Sequence, residues 1–188
     1  MDVFTYEDDI QDVLLTENEI KVIVKRLAKE IEYVYKQTEK KLLLVGILKG
    51  SIIFMADLMR EIHIPLIVDF IQVSSYGDNR ISCGNITLKL DLQNKNCLSD
   101  YDILVVEDIL DTGCTLMFLL NYLQNLGAHS VKLCTLLNKP DRRVQPVNVD
   151  FEGVKIPDKF VVGYGLDYQQ KYRNLPFIGI LKESVYHN

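Results

Sequence analysis

The stretch ILVVEDILDTGCTL, residues 103–116, decides the fold. It opens on an apolar, mostly β-branched run, as a strand buried on both faces of a sheet does. Glu107 and Asp108 end that run, and Asp111 follows three positions later. Thr112-Gly113-Cys114-Thr115 makes a short polar turn, and TLMFLLNYLQNLG (115–127) then has helical periodicity with a glycine stop. A strand over 103–110 and a helix over 116–126 put Glu107, Asp108 and residues 111–115 at the carboxyl edge of a sheet. Open α/β sheets bind ligands at that edge.

The pattern suits a particular ligand. A helix starting near Thr115 offers unpaired backbone N–H groups and the positive end of its dipole. Thr112, Gly113 and Thr115 add hydroxyls and a backbone that can approach closely, which fits a phosphate. Two adjacent carboxylates just upstream fit sugar hydroxyls or a divalent cation. The same residues also fit a solvated acidic turn with Asp111 or Thr112 as the helix cap. Three acids in so short a span repel one another unless something cationic neutralises them, which favours a ligand. A nucleotide-hydrolase reading needs a GxxxxGK[ST] loop, and GILKGS (46–51) lacks that order. GYGLDY (163–168) has Tyr168 where a dinucleotide fingerprint needs its third glycine.

Outward from this unit, strands and helices alternate. Thr16-x-x-Glu19 is a capping box, and Ile20, Ile23, Val24, Leu27, Ile31 and Val34 follow at helical spacing. KLLLVGIL (41–48) reads as a buried strand, SIIFMADLMREI (51–62) as a helix and PLIVDFIQVSSY (65–76) as a strand. After a polar stretch, NITLKLDL (85–92) alternates like a half-exposed strand. VKLCTLLN (131–138), KFVVGYGL (159–166) and FIGILK (177–182) complete the strands. This alternation predicts one α/β domain over residues 1–188, with a mostly parallel sheet covered on both faces.

Composition narrows the class. The formal net charge of -5 and the lack of a long basic run argue against a nucleic-acid partner. Four dispersed cysteines and three scattered histidines make no zinc motif. The acidic start MDVFTYEDDI is unlike a secretory signal, and no stretch has the run of about 20 apolar residues that spans a bilayer. A cytoplasmic chain with reduced thiols is expected, without a membrane partner.

VVEDILDTGCTL strongly resembles the phosphoribosyl-pyrophosphate loop of type I phosphoribosyltransferases. GILKGS (46–51), VDFIQVSSYG (68–77), LLNKPDRR (136–143) and PDKFVVGYGLDYQQKYRNLPFIG (157–179) narrow the resemblance to the hypoxanthine-guanine branch of that family. It covers nearly the whole chain in the expected order. The resemblance implies a twisted, mostly parallel sheet flanked by helices, with a small hood formed by the chain ends. It implies transfer of a phosphoribosyl group from magnesium-bound phosphoribosyl pyrophosphate to a 6-oxopurine, in a homodimer or homotetramer that serves purine salvage.

The residue roles follow from the same resemblance. Glu107 and Asp108 match the ribose-binding pair, direct or through Mg2+, and Asp167 matches an acid near a second Mg2+ and the purine 2-position. Asp111 matches the proton acceptor near purine N7, and Thr112, Gly113, Cys114 and Thr115 match the cradle of the 5′-phosphate. Lys49 and Gly50 match a pyrophosphate loop that often carries a cis peptide before the lysine, and Arg173 matches a second pyrophosphate contact. Lys139 matches the residue facing purine O6, Phe160 the stacking partner of the base, and Val161 a backbone contact to its edge. Ser75 and Tyr76 match the start of a loop that closes over the reaction. Read without the resemblance, Lys49 and Lys139 suit solvated loop positions, Phe160 suits core, and Asp167 suits a turn.

The chain departs from many members at Cys114, where they carry lysine. A cysteine at a helix N-terminus has reason for a lowered pKa, but a small, inert filler is the favoured reading, since free cysteine often serves as one. Two other classes compete with the enzyme. A nucleic-acid-binding regulator on the same fold would need a basic face. A phosphate-binding module without catalysis would have no use for Asp111.

Overall fold

The capping box at Thr16 forms as its spacing predicts. The Thr16 hydroxyl accepts from the Glu19 N–H at 3.3 Å, and the Glu19 carboxylate accepts from the Thr16 N–H at 2.8 Å. Two of the helix's free N–H groups are thereby satisfied. The computed structural model describes residues 6–76, 85–93 and 95–186. In chain order its elements are β1 (Ile10–Leu15), α1 (Glu17–Tyr35), β2 (Lys41–Leu48), α2 (Ile52–Glu61), β3 (Leu66–Tyr76) and β4 (Asn85–Leu90). They continue with β5 (Tyr101–Leu110), α3 (Cys114–Asn125), β6 (Ser130–Asn138), β7 (Phe151–Lys155), β8 (Val161–Val162), β9 (Ile178–Leu181) and α4 (Glu183–Tyr186).

The main sheet has the order β4-β3-β2-β5-β6-β7. Its strands are parallel except β4, which pairs antiparallel at the edge. The period-2 alternation of strands sorts the central side chains onto two faces. Leu104 and Val106 of β5 pack with Val24 and Leu27 of α1 and Phe54 and Leu58 of α2. Ile103 and Val105 pack on the other face with Leu116, Leu119 and Leu123 of α3. Fully burying each such side chain contributes about 1.5–3 kcal/mol, which holds the helices to the sheet.

This topology locates the site. The chain runs from β2 outward to β3 and β4, then returns to place β5 on the other side of β2. The segments leaving β2 and β5 enter α2 and α3 on opposite faces, so a crevice opens between their carboxyl ends. A second sheet, β1-β9-β8, joins the two ends of the chain in antiparallel pairs such as Val13 with Gly179 and Val161 with Ile180. It is the small hood expected from the chain ends.

Several elements differ from the sequence reading, the terminal helix α4 among them. The strand expected over 159–166 shortens to Val161–Val162, because Gly163 (φ +98°), Tyr164 (φ +51°) and Gly165 (φ +101°) turn the backbone out of extended geometry. β1 and β7 lack a clean apolar signature: β1 has three exposed positions, and β7 contains Gly153. There a Cβ would lie 2.2 Å from the Leu136 carbonyl, so close strand contact excludes a side chain. Among the described residues no helix is long and apolar enough to cross a membrane.

Candidate active site

The acidic pair ends β5 in a setting that opposes its charge. Asp108 is 8% exposed, and burial pushes its carboxyl up to about 6, against the pull of the Ile109 N–H and the Arg173 guanidinium. Glu107 is raised well above the usual carboxylate range, first by burial and then by the neighbouring Asp108 charge. Its Oε2 is enclosed and has no hydrogen-bond partner among the described residues. Two hard oxygen donors in so unfavourable a setting gain most from a cation or a set of hydroxyls.

Facing them is the turn after β2, where the Leu48–Lys49 peptide is cis. Gly50 is required here by contact: a Cβ would sit 1.7 Å from Asp108 Oδ2. Gly165 in turn meets Gly50, since its own Cβ would lie 2.1 Å from the Gly50 carbonyl oxygen. Lys49 Nζ and Arg173 Nη2 converge on one acceptor, Gln170 Oε1, at 3.2 and 3.4 Å. Arg173 also pairs with Asp167 at 2.6 Å and donates to the Gly165 carbonyl at 2.6 Å. Lys49, Gly50, Asp108, Asp167 and Arg173 therefore form one packed group.

The polar turn after β5 passes through Gly113, whose φ of +84° is open to glycine at little cost. α3 starts at Cys114, so the turn sits at the positive end of that helix. The Cys114 N–H leans on Thr112 Oγ1 at 3.5 Å. Cys97 and Cys134 are free, as expected of reduced thiols, whereas Cys114 is disulfide-bonded. That corrects the expectation of a chain without disulfides and removes the free, helix-activated thiol considered at this position.

Beside the turn lies a cavity of about 830 Å³ lined by Asp111, Lys139, Phe160, Val161 and Asp167. These residues come from the ends of β5 and β6 and from the segment around β8. Lys139 is 7% exposed, its Nζ donates to the Lys159 carbonyl at 2.5 Å, and burial lowers its pKa. It is not a solvated strand-end lysine. Phe160 leaves a third of its surface exposed, with Tyr168 edge-on at 5.5 Å and Tyr186 stacked at 4.9 Å. An acceptor, a buried donor and an aromatic face thus border one space, which suits a planar heterocycle carrying a carbonyl.

Six lining residues are not among the candidates read from sequence: Ile109, Arg142, Asp158, Leu166, Tyr168 and Tyr186. Arg142 Nε lies 3.4 Å from Asp111 Oδ1, and a cation following the KPD turn was the available signal. Ser75 and Tyr76 end β3; their side chains and the loop over 77–84 lie outside the described residues. Among the described residues no three His, Cys, Asp or Glu side chains gather closely enough to hold a metal ion. Mg2+ is commonly held by one or two carboxylates with substrate oxygens and water completing the shell, and Glu107 and Asp108 fit that mode.

The chain matches the phosphoribosyl transferase domain family over residues 11–169. It is 45% identical over 180 residues to a hypoxanthine-guanine phosphoribosyltransferase of Bacillus subtilis, covering 96% of this chain and 98% of the relative. The corresponding Staphylococcus aureus protein is 45% identical over 181 residues, covering 96% and 99%. A crystal structure of a hypoxanthine phosphoribosyltransferase from Staphylococcus aureus superposes with a TM-score of 0.92, at 44% identity and full coverage of both chains. A point mutant of the Trypanosoma cruzi hypoxanthine phosphoribosyltransferase, solved as a ternary substrates complex, gives 0.88 at 36% identity, covering 95% and 99%.

Proposed function

The chain belongs to the phosphoribosyltransferase family, and on that premise we propose that it joins hypoxanthine or guanine to phosphoribosyl pyrophosphate, giving IMP or GMP and pyrophosphate. One observation carries the choice of base: Asp111, Lys139 and Phe160 line a single cavity beside the phosphate-suited turn. In this reading Lys139 donates to the purine O6, which selects a carbonyl over the amino group of adenine. Phe160 stacks on the ring, the Val161 backbone meets its edge, and Asp167 stands by the 2-position. The backbone of residues 112–115 holds the 5′-phosphate.

The chemistry assigned to these residues is a displacement at C1′. Purine N9 forms its bond to C1′ as the bond from C1′ to the pyrophosphate oxygen breaks. The base gives up its N7 proton, and Asp111 accepts it. Glu107 and Asp108 hold the ribose hydroxyls, while Lys49, the Gly50 backbone and Arg173 stabilise charge on the departing pyrophosphate. Mg2+, when bound, would supply Lewis-acid neutralisation of that group, and Glu107, Asp108 and Asp167 are the residues that would hold it. Ser75 and Tyr76 begin the loop that excludes water during transfer.

The full proposal is one catalytic domain over residues 1–188, acting in the cytoplasm as a homodimer or homotetramer. Steady-state kinetics with hypoxanthine, guanine and xanthine at saturating magnesium phosphoribosyl pyrophosphate test it, with adenine as the control. Nucleotide formation from at least one 6-oxopurine and none from adenine is expected. No nucleotide from any of the three would refute the reading.

A further inference from the structure

Three consecutive carbonyls of the phosphate turn point the same way, into the segment that follows Lys139. The Leu110 carbonyl accepts from the Lys139 N–H at 2.9 Å and from Arg143 Nη2 at 3.4 Å. The Asp111 carbonyl accepts from Arg143 Nε at 3.1 Å, across 32 positions of sequence. The Thr112 carbonyl accepts from the Val144 and Gln145 N–H groups at 2.9 and 3.0 Å. In a trans peptide the N–H points opposite to the C=O. Pinning these carbonyls to one side therefore turns the N–H groups of Asp111, Thr112 and Gly113 to the other.

Arg143 is itself held in place. Its Nη2 donates to Asn138 Oδ1, and the Asn138 amide donates to Glu152. The guanidinium is half-buried, and its planar fork spans acceptors on β5 and β6 at once. The contact is close: a Cβ on Gly113 would lie 2.7 Å from the Gln145 carbonyl and 3.2 Å from Arg143 Cδ. We propose that Arg143 is a positioning residue for the 5′-phosphate: it orients the backbone of residues 110–112 so that the following N–H groups present a preset anion cradle. The inference rests on the phosphoribosyl-transfer reading above, and it adds a residue that touches no substrate.

The test compares wild type with Arg143→Lys, which keeps the charge but gathers its donors on one atom and cannot bridge the three acceptors. The KM for phosphoribosyl pyrophosphate rises at least about tenfold, the factor set by 1.4 kcal/mol of lost binding, while the KM for guanine stays within about twofold. Calorimetric affinity for GMP falls by a similar factor, and that measurement decides the case if turnover is too low for kinetics. Circular dichroism and thermal melting establish that the variant is folded; should it not fold, Arg143→Gln is judged by the same measurements. Unchanged GMP affinity overturns the proposal, as does an equal rise in both KM values. Wild-type protein that binds neither GMP nor phosphoribosyl pyrophosphate would instead refute the purine-transfer reading.

Discussion

Gly165→Ala tests whether the pyrophosphate turn is positioned by backbone packing. The added Cβ would lie 2.1 Å from the Gly50 carbonyl oxygen, whereas real Cβ atoms do not come closer than 3.0 Å, so the two backbones must part by about 0.9 Å. Gly50 cannot yield toward β5, because its own Cβ position already falls on Asp108 Oδ2. The displacement is therefore taken up where Lys49, Arg173 and Asp108 meet. A shift of about 1 Å at a catalytic contact lowers the rate roughly 100-fold, or about 2.7 kcal/mol of transition-state stabilisation. The substitution also forces a side chain onto a φ of +101°, adding about 1–2 kcal/mol of strain. Gly127→Ala separates the two effects, since its φ of +82° is similar but nothing lies within 4 Å of the new Cβ. We expect Gly127→Ala to lower Tm by about 2–4 °C for each kcal/mol of strain and to leave kcat/KM within about twofold. Gly165→Ala should lose about 100-fold in kcat/KM for phosphoribosyl pyrophosphate in a protein that still melts cooperatively. Unchanged kcat/KM in Gly165→Ala, or an equal loss in Gly127→Ala, would refute the packing argument.

Other perturbations probe the remaining parts of the site. Asp111→Asn removes the proton acceptor but keeps the shape, so kcat should fall about 10²–10⁴-fold with GMP affinity little changed; undiminished turnover would remove its assigned role. Lys139→Met replaces a buried donor with an apolar side chain, and the KM for hypoxanthine should rise about tenfold or more in initial-rate assays, with that for phosphoribosyl pyrophosphate unaffected. At the opposite end of β5, Asp102 accepts from Ser130 and His129, and although burial alone would raise its pKa these bonds hold it below the usual range. A depressed folded pKa stabilises above the unfolded value and is lost as pH falls through the folded one. Ser130→Ala should thus destabilise by about 1.5–3 kcal/mol at pH 7 in urea titrations, with the deficit shrinking below about pH 4 and catalysis intact.

How much of this was legible in sequence varies with the range of the interaction. The capping box, the β-branched strand and the helix after the polar turn are local patterns, and each stands within a few residues of its expected bounds. Side-chain parity fails at the acidic pair. Leu104 and Val106 lie on the α1 face, and alternation would send Ile109 to the α3 face, yet Ile109 packs with the α1 group and Leu110 with the α3 group. The pleat changes phase at Glu107 and Asp108, so no count along the strand could say which way the two carboxylates face. Gly50 and Gly165 likewise look like ordinary turn glycines in sequence. Only their mutual contact and that with Asp108 explain why a side chain is excluded.

The phosphate turn presents the same problem at longer range. The residues that would touch phosphate, 112–115, are contiguous, whereas the groups that orient their peptides belong to 139–145. Lys139 and Arg143 bracket a single turn, Pro140–Arg142, closed by the Arg143 N–H on the Pro140 carbonyl at 3.2 Å. Pro140 fixes one φ of that turn and stiffens it. The ammonium assigned to the base and the guanidinium that sets the phosphate peptides are thus carried on one short, rigid piece of chain. The Lys139 N–H is also bonded to the Leu110 carbonyl, which ties this turn to the end of β5. This turn and the end of β5 are held as one body by hydrogen bonds that join positions about 30 apart, which is why residues 112–115 alone do not reveal what orients their peptides.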